Sequence, residues 1–222
     1  MDEKMISAVI FDMDGTLLDT EKYLVEYWVK AGHACGVEHM TREDGLLLRS
    51  FAAKFAAPFM KKKLGDCFDY RQVHEKRVEL INEAGLNIEK KPGVDEVLAE
   101  LKKRGVKTAV ATASNPDRTR RLLEAVGIYD KFSDIICATT LENGKPMPDV
   151  YLYACKQLLE KPENCIAVED SPNGVMAASR AGCRTIMVPD LTEPEPELME
   201  YLDGVASSLY EIPGWLSHWN AD

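Results

Sequence analysis

The stretch VIFDMDGTLLDT, residues 9–20, runs from apolar residues into Asp12 and Asp14 and then turns at Gly15-Thr16. An apolar run of this kind predicts a buried parallel strand, and acids at the end of such a strand are uncommon without a partner. Two interpretations are open. Either the acids are solvated in a surface turn, or the strand end presents them to a metal ion and a substrate. The rest of the chain decides between the two.

The bulk composition is that of a globular chain, with 222 residues, 45% hydrophobic and 29% charged. The net charge of −10 argues against nucleic acid or an anionic membrane as a general partner. It leaves room for a small anionic substrate held by a local cation. The six cysteines lack C-x-x-C spacing and predict reduced thiols. With no signal-peptide pattern and no long apolar run, we expect a cytoplasmic protein without a membrane partner.

Short apolar runs alternate with helical patterns along most of the chain. The runs are SAVIFD, VKTAVATAS, DIICATT, NCIAVEDS and CRTIMVPD, and a last short strand is predicted in GVASS. This alternation predicts an α/β fold with a doubly wound, Rossmann-like parallel sheet covered on both faces. In such sheets, ligands bind at the carboxyl ends of the strands.

The segment 21–90 breaks this alternation because it contains helical patterns without a strand. The patterns are EKYLVEYWVKAG, TREDGLLLRSFAAKFAAPFMKK and DYRQVHEKRVELINEAG. We therefore predict a small all-helical domain over residues 21–90, inserted after the first strand, and an α/β core formed by residues 1–20 and 91–222. The connections between them would lie at Asp19-Thr20 and at residues 90–93.

Several strand ends, and one loop, carry reactive side chains. They are Asp12 and Asp14 after the first strand, Thr112 at the second, Lys145 in the loop ENGKPMPD, and Glu169 and Asp170 at the fourth. Because parallel strands end at one edge of the sheet, we expect these residues to form one site. Clustered carboxylates repel one another unless a cation holds them, and an oxygen-only ligand set suits Mg²⁺.

Carboxylates around a metal, together with a lysine and a hydroxyl, predict phosphoryl transfer. Asp12 would be the nucleophile that forms an acyl-phosphate. Asp14 would protonate the leaving oxygen and later take a proton from water. The amides of Gly15 and Thr16, at a turn that enters a helix, would bind the phosphate.

The segments FDMDGTLLDT, TAS, GKPMPD and VEDSPNG, in this order and spacing, resemble the four motifs of the haloacid dehalogenase superfamily. The helical insert resembles the cap of its phosphatase and phosphomutase branch, to which β-phosphoglucomutase belongs. The metal ligands that the resemblance implies are Asp12, Asp14 through its backbone carbonyl, Asp170 and, directly or through water, Glu169. The phosphate-binding residues that it implies are Thr112, Ala113 and Lys145. The acid at Asp14 sets dehalogenation aside, because a halide leaving group needs no proton.

Substrate choice in this superfamily depends on the cap, where the chain departs from β-phosphoglucomutase-like sequences. Leu24 stands where those sequences have a histidine, and Ala53 where they have a loop arginine, with Arg49 and Lys54 as possible substitutes. Both departures favour a phosphatase acting on a small phosphorylated metabolite, such as a sugar phosphate. A sugar phosphomutase and a non-catalytic binding module are the alternatives. The stretch 51–59 is interpreted as a packed helix face or as an apolar pocket wall.

Overall fold

A computed structural model describes residues 5–221 and contains a six-stranded sheet in the order β3-β2-β1-β4-β5-β6. The strands are β1 (Ala8–Phe11), β2 (Lys107–Thr112), β3 (Asp134–Cys137), β4 (Cys165–Glu169), β5 (Arg184–Met187) and β6 (Gly204–Val205). Every neighbouring pair is parallel. The predicted doubly wound parallel sheet is confirmed.

Helices cover both faces of the sheet, and further helices fill the segment between β1 and β2. They are α1 (Glu21–Ala34), α2 (Arg42–Leu47), α3 (Ala53–Leu64), α4 (Tyr70–Ala84), α5 (Val94–Lys103), α6 (Pro116–Ala125), α7 (Asp149–Leu158), α8 (Pro172–Ala181) and α9 (Ile212–Trp219). Within residues 5–221, no helix combines the length and the apolar character needed to cross a bilayer.

The register of the central strands places the residues that follow them at the same height along the sheet. Phe11 of β1 pairs with Val110 of β2 on one side and with Val168 of β4 on the other. All four residues of β1 are buried, because apolar helix faces cover the sheet on both sides. The residues just beyond β1, β2 and β4 therefore lie side by side at one edge of the sheet.

The helices α1 to α4 surround an apolar cluster of their own, which includes Trp28, Met60, Phe68 and Val73. The second predicted helical pattern forms two helices, α2 and α3, rather than one. The chain leaves the helical conformation between them, where Ser50 has a φ of 50°. This break produces the loop 48–52, which lies against the edge of the sheet where β1, β2 and β4 end.

Two short connections join the α1 to α4 segment to the rest of the chain, and they run side by side. The Asp19 N–H donates to the Glu89 carbonyl at 2.9 Å, and the Lys91 N–H donates to the Leu17 carbonyl at 2.9 Å. Adjacent connections and a separate apolar cluster are the features expected of an inserted domain. The boundaries at residues 20/21 and 90/91 remain a prediction.

Candidate active site

Three buried acids meet at the edge of the sheet where β1, β2 and β4 end. Asp12 directly follows β1, and its N–H donates to the Val168 carbonyl at 2.9 Å. Glu169 is the last residue of β4 and Asp170 follows it. Carboxylate oxygens of Asp12, Glu169 and Asp170 lie within 4.8 Å of one another. The strand ends therefore bring together the acids that the sequence placed on them.

Lys145 lies between two of these carboxylates and is fully buried. Its Nζ is 2.5 Å from Asp12 Oδ1 and 2.6 Å from Glu169 Oε1. Burial raises the pKa of Asp12 to about 7, with the Lys145 ammonium opposing the shift and the Glu169 carboxylate adding to it. The Tyr151 hydroxyl donates to Glu169 Oε1 at 2.5 Å. Sequence reasoning missed Tyr151, although it lies on the helix that follows the Lys145 loop.

The oxygen atoms of this cluster fit a hard cation. Asp12 Oδ2 and Asp170 Oδ2 are buried, and neither has a hydrogen-bond partner among the described residues. Gly15, with a φ of 87°, leaves room for this arrangement, because a Cβ at that position would overlap the Asp170 carboxylate. A Cβ at Gly174 would likewise overlap the Glu169 carboxylate. An all-oxygen set in which Asp170 Oδ2 is buried without a hydrogen-bond partner fits Mg²⁺.

Asp14 makes a different set of contacts, with its carboxylate directed to groups outside the acid cluster. Arg118 donates to both oxygens at 2.7 Å, Ser114 Oγ donates to Oδ2 at 2.8 Å, and Thr20 Oγ1 donates to Oδ1 at 2.6 Å. Burial opposes ionisation of Asp14, but Arg118 and the hydroxyl donors outweigh it and lower the pKa to about 2. Arg118 was missed from the sequence. The available signal was its place in the first turn of the helix after β2.

The predicted phosphate-binding residues surround a cavity of about 600 Å³. Thr112, Ala113 and Lys145 line it together with Asp12 and Asp14.

The turn residues Gly15 and Thr16 both make hydrogen bonds within the protein. For Thr16 the group is the hydroxyl and not the amide predicted to bind the phosphate, since Oγ1 donates to Asp170 Oδ1 at 3.5 Å. The Gly15 N–H donates to the Leu18 carbonyl at 2.8 Å, so phosphate binding by that amide would require this bond to break.

The loop 48–52 brings Arg49 to the acid cluster. Arg49 is 4% exposed, and its Nη1 lies 3.6 Å from Asp170 Oδ2. Its Nη2 donates to Thr192 Oγ1 at 2.5 Å, and its carbonyl accepts from Asn173 Nδ2 at 2.9 Å. Lys54, the other candidate substitute for a loop arginine, donates instead to Asn143 Oδ1 at 2.9 Å. Of the two, Arg49 is the residue that reaches the acids.

Glu21 is a further buried acid of the site that sequence reasoning missed. It begins α1 directly after Thr20, is 2% exposed, and has no hydrogen-bond partner for Oε2 among residues 5–221. Burial, reinforced by the Asp14 carboxylate, raises the pKa of Glu21 to about 8. Its position next to the predicted connection at Thr20 was the available signal.

The helical segment forms the other wall of the cavity. Leu24 and Ala53 line it, as does Phe51, which packs edge-on against Phe59 with ring centroids 5.9 Å apart. Ala56 instead lies in the apolar cluster of the helices. Both interpretations of the stretch 51–59 therefore hold, each for different residues.

The model of the haloacid dehalogenase-like hydrolase family matches residues 6–182 of this chain. The chain belongs to that family. It is 32% identical over 197 residues to protein CbbY of Cereibacter sphaeroides, with 83% of this chain and 85% of that protein covered. It is 29% identical over 193 residues to the phosphorylated carbohydrates phosphatase of Thermotoga maritima, with 82% and 84% covered.

Solved structures of the haloacid dehalogenase-like hydrolases have the same fold. The β-phosphoglucomutase of Clostridium difficile is 26% identical, has a TM-score of 0.78, and is matched over 98% of this chain and 100% of its own. The predicted superfamily, its phosphatase and phosphomutase branch, and the hydrolase class are confirmed. This family generally uses Mg²⁺, for which the buried acids are suited.

Proposed function

We propose that this haloacid dehalogenase-like hydrolase cleaves a small phosphomonoester with Mg²⁺, through an aspartyl-phosphate on Asp12. The observation that carries the proposal is that the two Asp12 oxygens differ in their hydrogen-bond partners. Oδ1 accepts from Lys145 at 2.5 Å, whereas Oδ2 is buried without a partner. When a hydrogen bond holds one oxygen of a carboxylate in the wall of a cavity, the other oxygen is oriented to attack a substrate bound there.

Asp12, Asp170 and Glu169, with the Asp14 carbonyl, would hold Mg²⁺, which when bound would offset the negative charge of the phosphate. Asp12 Oδ2 forms a bond to phosphorus as the bond from phosphorus to the leaving oxygen breaks. Lys145 supplies a fixed positive charge at this point, because its Nζ is buried between two carboxylates. Thr112, Ala113 and the turn at Gly15-Thr16 would position the other phosphate oxygens.

Asp14 would donate the proton that the leaving oxygen needs. While Arg118 binds both its oxygens, Asp14 stays ionised, so it must separate from Arg118 to be protonated. In the second step Asp14 takes a proton from water, the water oxygen bonds to phosphorus, and the bond from phosphorus to Asp12 breaks. Inorganic phosphate and the free Asp12 carboxylate result.

Water is proposed as the phosphoryl acceptor because Leu24, which lines the cavity where β-phosphoglucomutase-like sequences have a histidine, cannot transfer a proton. The similarity to a β-phosphoglucomutase favours a sugar phosphomutase as the second candidate. A relative that acts on phosphorylated carbohydrates supports a sugar phosphate as one substrate to test. We also propose that the cap, residues 21–90, closes over the core to exclude bulk water.

The test is release of phosphate from a panel of phosphomonoesters, including sugar 1- and 6-phosphates, with and without Mg²⁺. Asp12→Asn should lower kcat at least about a thousandfold. The control variant Asp117→Asn changes an exposed acid in the first turn of α6 and should keep wild-type activity. Acid-quenched wild-type enzyme should yield a phosphorylated peptide that contains Asp12. Full activity of correctly folded Asp12→Asn would refute the mechanism. Conversion of a sugar 1-phosphate to a 6-phosphate without free phosphate would establish the mutase instead.

A further inference from the structure

Two buried thiols that the proposed chemistry does not use lie next to each other, away from the buried acids. Cys155 is on α7, and Cys183 directly precedes β5. Their sulfur atoms are 3.8 Å apart, within the distance of a thiol hydrogen bond. All six cysteines of the chain are free in the structure. The two residues are 28 positions apart in the sequence, so the packing of α7 against the sheet and α8 brings them together.

A third thiol, that of Cys165, is close to this pair but is directed to the backbone. Cys165 is the first residue of β4, and its Sγ donates to the Lys161 carbonyl at 3.3 Å. The thiols of Cys165 and Cys183 lower the pKa of Cys155, although burial opposes the shift. The thiolate is the nucleophilic form of cysteine. Cys155 is therefore the thiol that we expect to react first, with Cys183 facing it.

The pair is buried, yet it lies directly below the surface of the protein. Cys155 is 2% exposed and Cys183 is 5% exposed, while Gly182 and Arg184, on either side of Cys183, are exposed. A small uncharged oxidant such as hydrogen peroxide needs only a local opening of this segment to reach the sulfur atoms. Local opening costs less free energy than global unfolding, so the reaction is compatible with the folded protein.

We propose that Cys155 and Cys183 are a site of reversible oxidation, at which a peroxide converts the two thiols into a disulfide. The Cys155 thiolate attacks one oxygen of hydrogen peroxide, the bond between the two oxygens breaks, and hydroxide leaves with the proton that the Cys155 thiol has released. Cys155 is then a sulfenic acid. The Cys183 sulfur attacks the Cys155 sulfur, and the hydroxyl of the sulfenic acid leaves with the Cys183 proton as water. Two thiols are oxidised, and one peroxide is reduced to two molecules of water.

The disulfide would act on the candidate active site through α7. Tyr151 and Cys155 are four residues apart and so share one face of this helix. The Tyr151 hydroxyl donates to Glu169 Oε1 at 2.5 Å. The two sulfur atoms must approach each other by about 2 Å to form a bond, and any accompanying shift of α7 moves the Tyr151 hydroxyl relative to Glu169. We therefore expect oxidation to lower kcat. This consequence rests on the proposed function, whereas the oxidation itself does not.

The experiment treats the reduced, folded protein with hydrogen peroxide, blocks the remaining thiols with iodoacetamide and digests the protein with trypsin for mass spectrometry. The expected product is peptide 181–184 joined by a disulfide to peptide 132–156. Peptide 132–156 also contains Cys137, so the experiment is repeated with Cys137→Ala, in which the product should still form. Dithiothreitol should return both peptides to the thiol form.

The other cysteines supply matched controls. Cys155→Ala and Cys183→Ala should each abolish the joined peptides, and Cys165→Ala should form them as the wild type does. Cys137 is buried as well, and its Sγ donates to Thr119 Oγ1 at 3.6 Å. It reports general opening of the protein, so peroxide should consume the Cys155–Cys183 pair at least about tenfold faster than Cys137.

Activity provides the second measurement. Phosphate release by the oxidised wild type should show a kcat lowered at least about threefold and restored by dithiothreitol. Cys183→Ala should keep its activity after the same peroxide treatment, because it cannot form the disulfide. This variant therefore separates the effect of the disulfide from damage by peroxide at other residues.

The outcomes that contradict each step are distinct. A disulfide between other cysteines, oxidation to sulfinic acid without a disulfide, or consumption of Cys137 as fast as the pair would refute the oxidation site. A disulfide that forms as expected and leaves kcat unchanged would refute the effect through Tyr151. Mass spectrometry does not depend on turnover, so the joined peptides would support the oxidation site even if no phosphate ester is hydrolysed and the proposed function fails.

Discussion

Replacing Lys145 by Met would leave two buried carboxylates without the cation they share. The Lys145 side chain is fully buried, with Nζ 2.5 Å from Asp12 Oδ1 and 2.6 Å from Glu169 Oε1. Methionine keeps most of the aliphatic volume and removes the charge. Removing one partner of a buried ion pair costs about 3–5 kcal/mol. This is a large part of the free energy of unfolding of a typical protein, which is about 5–15 kcal/mol. We expect a loss of about 3–5 kcal/mol in the free energy of unfolding.

The assay is urea unfolding followed by circular dichroism, with a chelator present so that no divalent cation replaces the lysine. Lys107→Met is the matched control. Lys107 Nζ lies 2.7 Å from Glu160 Oε1, but the lysine side chain is 42% exposed. Solvent screens such a pair, so this control should lose less than about 1 kcal/mol.

The deficit of Lys145→Met should also depend on pH. Burial raises the pKa of Asp12 to about 7 although Lys145 opposes the shift, and without the ammonium this pKa should rise further. Between the ordinary carboxyl value of 3.8 and the raised value, the native state keeps a proton that the unfolded state has released. The free energy of unfolding therefore falls as pH rises through this range. The wild type shows the same fall up to about pH 7, so the deficit should be nearly constant below about pH 7 and should grow above it, as far as the higher pKa of Asp12 in the variant.

Two results would refute this reasoning. One is a loss of stability for Lys145→Met no larger than that of Lys107→Met. The other is a large loss that stays constant with pH, which would indicate lost packing of the side chain rather than unpaired carboxylates.

Two further substitutions probe the acids around the proposed metal. Gly174→Ala should place its Cβ in the Glu169 carboxylate, lower stability by about 1–3 kcal/mol and weaken Mg²⁺ binding in calorimetry. Gly214→Ala, whose Cβ would meet no atom within 4 Å, should be neutral or slightly stabilising; equal behaviour of the two would contradict the overlap. Arg49→Met should tighten Mg²⁺ binding about tenfold or more, because the Arg49 guanidinium lies 3.6 Å from Asp170 Oδ2 and competes for it. Unchanged or weaker affinity would show that it does not compete.

The grouping of the acids at the strand ends could be predicted from the sequence, because it follows from general rules that apply to short segments. Apolar runs alternating with helices require a parallel sheet, and parallel strands end at one edge. Asp12, Glu169 and Asp170 therefore had to lie near one another once their strands were recognised. Lys145 was found with them because its loop enters a helix beside the same edge.

The partners of these acids were not predictable in the same way. Arg118 stands in the basic run DRTRR and resembles a solvated helix face, yet the rotation of α6 directs it to both oxygens of Asp14. Tyr151 resembles an ordinary core residue until the packing of α7 brings its hydroxyl to Glu169. Helix rotation depends on how whole faces pack, which no local pattern specifies.

The sequence by itself determined the sheet, the helical insert and the acids at the strand ends, since periodicity and strand direction are properties of short segments. Tertiary structure alone decided which charges those acids meet. Arg49 reaches Asp170 because its Nη2 donates to Thr192 and its carbonyl accepts from Asn173, and the Arg77 guanidinium lies 4.2 Å from the Trp28 ring centroid. These contacts join residues far apart in the chain, and the electrostatics of a buried group depend on all its neighbours at once.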